Sequence, residues 1–110
     1  MSKLKLLELR CNESEDSGGD EAYITVDGKK VWSTDNIENG ESVSLRSVKA
    51  IDFGGEVTVA LWDKDTGLFD SDDNLGEFVV SGDLEGEDEQ EYNFKGDGVS
   101  YLLVYKVIED

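Results

Sequence analysis

Histidine and proline are both absent from this 110-residue chain, and cysteine occurs once, as Cys11. Without histidine the chain lacks the commonest general base, the usual zinc ligand and every Ser-His or Cys-His nucleophile pair. A single cysteine excludes an internal disulfide, and at a strand end Cys11 reads as a small buried apolar residue. Bases are scarce too: 10 stand against 27 acids, for a formal net charge of −17. Such a surface repels nucleic-acid phosphates, and anionic lipid as well unless something neutralises it. Nucleic acid is therefore not an expected partner. No apolar run approaches the ~20 residues of a membrane span, and the N-terminus lacks the apolar core of a signal peptide. The expectation is a soluble chain, cytoplasmic by default. A glycine-rich phosphate loop with lysine is also missing.

Helical periodicity is equally scarce; what is present alternates. Lys3–Cys11, Ala22–Val26, Lys29–Ser33, Ser42–Val48, Glu56–Trp62, Leu75–Ser81, Glu91–Lys95 and Val99–Ile108 each read as a strand. Lys3–Cys11 carries leucines on both faces, which suits a central strand. Asp27-Gly28 between two alternating runs is the strongest short hairpin signal, a type I′ turn. Lys49–Gly55 reads as a connector whose Ile51 and Phe53 plug the edge of the core. Short strands with turn chemistry between them predict an all-β fold, an eight-stranded antiparallel β-sandwich, as one domain over residues 1–110.

The acids bunch in the loops. Residues 63–76 read DKDTGLFDSDDNLG, five aspartates against one lysine. Two carboxylates ~4 Å apart repel by roughly 4 kcal/mol at an effective dielectric of ~20. Such a loop either splays its acids into water or closes them on a cation. Oxygen-only ligands select calcium or magnesium, and a flexible acidic loop favours calcium. An EF-hand is not the answer: counted from Asp63, the positions where its loop needs glycine and glutamate hold Leu68 and Asn74.

Antiparallel neighbours send successive loops to alternate ends. Asn12–Glu21, Thr34–Glu41, Asp63–Asn74 and Gly96–Gly98 then share one end, with Asp35 and Asp97 nearby. The glutamate-rich Gly82–Gln90 falls at the other and reads as a solvated connection.

This arrangement resembles the C2 domain family, the eight-stranded calcium-binding sandwich. A strand ending in Trp62-Asp63-Lys64-Asp65, followed by Ser71-Asp72-Asp73-Asn74-Leu75-Gly76, is similar to the family's W/Y-D-x-D and DD-x-LG pattern. Asp20-Glu21-Ala22-Tyr23-Ile24 is similar to its D-P-Y-V, with an extra residue in place of the proline, so either Asp20 or Glu21 fills the ligand position. The resemblance implies that Asp63 and Asp65 are a bridging pair for Ca2+. Asp70, Ser71, Asp72 or Asp73 would complete that loop, and Asp16 and Asp20 would serve as first-loop ligands. It also implies a non-enzymatic module that binds an anionic membrane surface through calcium, or a protein partner.

Leu68-Phe69 at the tip of the aspartate loop reads either as a lid on the sheet edge or as a membrane or partner anchor. Burying both side chains could contribute ~3–5 kcal/mol. The alternatives are a calcium-stabilised structural or assembly module and a carbohydrate-binding sandwich using Trp32 or Trp62, although both tryptophans suit core or sheet-face positions. Paired carboxylates could hydrolyse a glycoside, but the chain has no groove-forming insertions.

Overall fold

The computed structural model describes residues 2–15, 18–64 and 71–109. Nine strands run through them: β1 (Ser2–Glu13), β2 (Ala22–Val26), β3 (Lys29–Ser33), β4 (Ser42–Ser44), β5 (Ile51–Phe53), β6 (Glu56–Asp63), β7 (Asp73–Ser81), β8 (Gln90–Phe94) and β9 (Ser100–Glu109). One sheet has the order β4-β1-β9-β8, and β5 also pairs with β1. The other has the order β3-β2-β6-β7. Every pairing between strands is antiparallel, as the alternating patterns predict.

The ninth strand is β5, which lies inside the expected connector. Leu4 pairs with Ile51 at one end of β1, and Leu9 pairs with Val43 further along it. β4 and β5 thus divide one long edge between them. Three residues are too few for an alternation signal, and only that edge makes β5 a strand. The expected Ser42–Val48 strand correspondingly stops at Ser44, and Leu45 turns into the core.

β1 is central, as expected, but its leucines have a more specific cause. The register with β9 shifts between Leu6 and Glu8, a β-bulge at Leu7. One extra residue reverses the alternation. Leu4 and Leu6 therefore share the inner face with Leu9 and Cys11, and all four belong to the core cluster. The opposing sheet supplies Ile24, Val57, Val59 and Leu61, while β9 adds Tyr101, Leu103, Tyr105 and Val107.

The Asp27-Gly28 turn has positive φ at both residues, 50° and 83°, as type I′ requires. Asp27 Oδ1 accepts from the Thr58 amide at 2.9 Å, which ties the turn to β6. Short 3-10 turns occupy Gly82–Leu84 and Gly96–Gly98. Along the β7 and β8 edges the sheets are clasped by aromatics: Phe78 stacks on Tyr92 at 4.0 Å and meets Phe94 at 5.7 Å and Tyr105 at 5.4 Å.

Candidate metal centre

The carboxyl end of β6 and the start of β7 place two acids side by side. Asp63 pairs directly with Asp73 across the ladder. Like charges directly opposite each other destabilise a sheet, so this register carries a penalty unless a cation or a proton offsets it. β2 fixes Asp63 from the other side. Ala22 is its ladder partner, and the Glu21 amide donates to Asp63 Oδ1 at 3.1 Å. Only 5% of Asp63 is exposed.

The third member comes from the loop after β1. Carboxylate oxygens of Glu15, Asp63 and Asp73 all lie within 4.8 Å of one another. Glu15 Oε2 is buried and has no hydrogen-bond partner among the described residues. Its carboxyl is pushed up to about 8, first by burial and then by its hydrogen bond to, and the charge of, Asp73, with Asp63 adding to both effects. The group thus holds back ionisation until something compensates the charge. An oxygen-only set of three carboxylates suits a hard divalent cation, and calcium tolerates the irregular angles that a strand pair and a loop provide.

The residues singled out from the sequence divide three ways. Asp63 and Asp73 sit in the trio. Asp20 and Asp72 lie beside it on other partners. Asp72 Oδ2 accepts from the Tyr23 hydroxyl at 2.5 Å. That hydroxyl is pushed up to about 12 by burial, then by the bond to Asp72 and its charge. Asp20 is fully buried, and its Oδ2 accepts from the Tyr101 hydroxyl at 2.5 Å and from the Glu15 amide at 2.9 Å. Asp16, Asp65, Asp70, Leu68 and Phe69 lie outside the described residues. Between the two readings of the first loop, Glu21 contributes a backbone amide to Asp63, while Asp20 points its carboxylate into the protein.

Sequence reasoning misses Glu15. Aspartates draw the attention, and Glu15 stands in a run of acids with nothing to single it out. Ile37 escapes for a similar reason. It is one apolar residue in a polar loop, yet it is fully buried and bridges to Asp20 through two backbone hydrogen bonds of 2.9 Å. A lone isoleucine among TDNIENGE is the available signal. The tryptophans lie where expected, half-buried on the sheets. Trp62 Nε1 donates to Thr25 Oγ1 at 3.0 Å, and its ring stacks at 6.1 Å on Tyr23.

The two antiparallel sheets in this strand order form a C2-like β-sandwich, and comparison with solved structures bears this fold out. The chain aligns over 97% of its length with a structure holding the paired A and B C2 domains of extended synaptotagmin 2, at 22% identity and a TM-score of 0.59; it spans 39% of that chain. A structure described as a C2 domain aligns over 96% of this chain and 95% of its own, at 18% identity and a TM-score of 0.57. The A-type C2 domain of plant extended synaptotagmin 1 aligns over 97% of this chain and 91% of its own, at 12% identity and a TM-score of 0.54. No protein-family model matches the sequence, and no curated protein matches it. The C2-domain fold is thus shared with these structures at 12–22% identity.

Proposed function

We propose that this chain is a calcium-binding C2-type module and not an enzyme. Glu15, Asp63 and Asp73 hold the ion, and the loaded end engages an anionic membrane surface or a protein partner. The observation that carries the reading is the convergence of three carboxylates within 4.8 Å, two of them paired face to face across a ladder. A bound divalent ion would supply the positive charge that offsets their repulsion. Asp65 and Asp70, next to the trio in sequence, remain further candidates for its coordination, and Leu68-Phe69 for the contact that follows.

The net charge of −17 makes membrane attachment conditional. A few ions leave the molecule strongly negative, but screening over ~8 Å at physiological salt lets one end act locally. Thermal melts of chelator-treated protein test the metal. A single site at ~1,000 times its dissociation constant adds about 4 kcal/mol. Calcium is expected to raise the melting temperature of the wild type and of E87Q/E89Q, and not that of Asp63→Asn. A wild-type melt insensitive to millimolar calcium would sink the reading. Co-sedimentation with phosphatidylserine vesicles then separates the partners. Calcium-dependent recruitment supports the membrane role, and binding of calcium without recruitment at any lipid composition points to a protein-facing or structural module.

A further inference from the structure

We infer that Tyr101 is a positioning residue for the candidate metal centre: through Asp20 it holds Glu15 in reach of Asp63 and Asp73. The inference rests on the calcium reading above for its consequence, but its geometry stands alone. Tyr101 is on β9, fully buried, and pairs with Cys11 in the β1–β9 ladder. Its hydroxyl donates at 2.5 Å to Asp20 Oδ2. The same oxygen accepts the Glu15 amide at 2.9 Å. One carboxylate oxygen therefore joins the core to the backbone of the residue that supplies the third metal-facing acid.

Asp20 itself cannot drift. Its amide donates to the Ile37 carbonyl and its carbonyl accepts from the Ile37 amide, each at 2.9 Å. Ile37 is anchored in the core cluster. Asp20 is thus held at its backbone by Ile37 and at its side chain by Tyr101, and the same side chain holds the Glu15 amide. A buried carboxylate is costly to leave without donors, and charge-assisted bonds are the strong ones. Glu15 follows the end of β1 by only two residues, so turning it back toward β6 needs a tether, and the Asp20 side chain is one. Asp20 then acts on the ion through Glu15, with its own carboxylate facing Tyr101.

The test compares Tyr101→Phe with Tyr105→Phe, which removes a hydroxyl from the same strand and the same core without touching Asp20. Hydrogen exchange at the Glu15 amide is measured in calcium-free protein, and calcium chloride is titrated calorimetrically into each variant. In Y101F the Glu15 amide is expected to exchange at least tenfold faster and calcium to bind about tenfold more weakly, while Y105F keeps wild-type values for both. Unchanged exchange at Glu15 in Y101F would overturn the inference. So would tighter calcium binding, which would mean that the released Asp20 carboxylate is itself a ligand. Should Y101F fail to fold, Asp20→Ala, which removes the acceptor of the Glu15 amide, serves for the exchange measurement, with the same increase expected and the same null result decisive. If the wild type binds no calcium, the exchange result still decides whether the tether exists, and only the metal reading falls.

Discussion

Asp73 stands where its effect on stability is expected to depend on a bound cation. It faces Asp63 across the ladder and helps keep the Glu15 carboxyl protonated. In calcium-free protein, Asp73→Asn is expected to raise stability by about 0.2–1 kcal/mol by relieving the cross-strand repulsion. With saturating calcium the same change is expected to lower stability, and urea unfolding under both conditions reads the reversal. The pH dependence follows from Glu15, whose carboxyl stands at about 8 against an ordinary 4.5. The folded protein then holds a proton that the unfolded chain has released. The resulting stabilisation is complete below about pH 4.5 and is lost as pH rises through about 8. Melts of calcium-free protein are expected to show this Glu15 contribution declining across that window, with the decline absent in Glu15→Gln. In the proposed site a calcium ion would have to displace this proton, so its affinity is expected to fall by up to tenfold per pH unit below about pH 8, which calorimetric titration against pH checks.

Elements carry the next level of organisation. β1 succeeds as the central strand because the Leu7 bulge moves Leu9 and Cys11 onto the face already occupied by Leu4 and Leu6. β7 begins at Asp73, two residues earlier than the apolar pattern indicates, because Asp73 and Asn74 find ladder partners in Asp63 and Trp62. A register shift there accommodates Leu75, which is fully buried. Farther along β7, the aromatic clasp replaces backbone pairing between the two sheets. Phe78 touches three rings from β8 and β9 while remaining half-buried. Phe78→Ala is expected to cost about 3 kcal/mol, the lower end for truncating a large aromatic, because the ring is only half-buried. A reduced urea midpoint with an unchanged slope is the measurement that supports this. An unchanged midpoint would show that the sheets meet without the clasp.

At the scale of the whole molecule, charge dominates. The described ion pairs, Lys3–Asp52 at 3.6 Å, Arg10–Glu8 at 3.1 Å and Arg46–Glu89 at 3.7 Å, lie on the surface, where such pairs contribute little. Most of the net charge of −17 is therefore self-repulsion held in check by the core. Screening extends over ~30 Å at 0.01 M salt and ~8 Å at 0.15 M. Sodium chloride added over that range is expected to raise the melting temperature of calcium-free protein and of Asp63→Asn alike. At fixed ionic strength, calcium is expected to raise only the wild type. An equal response of both proteins to calcium would mean that it acts as a general counterion.

Local chemistry made much of this protein legible before folding. Alternation with turn residues specified the sandwich, Asp27-Gly28 specified its hairpin, and the crowd of aspartates after Trp62 marked the end where charge must be compensated. These signals survive in sequence because each depends on residues close along the chain. The rest depended on partners far apart in the sequence. β5 exists only because β1 has a spare edge, and Leu7 is a bulge only against β9. Glu15 joins Asp63 and Asp73 because Tyr101 and Ile37, both distant in sequence, hold Asp20 in place. A carboxylate looks the same in sequence whether it faces an ion, a tyrosine or water; only packing in three dimensions decides which oxygen is buried and what it meets there.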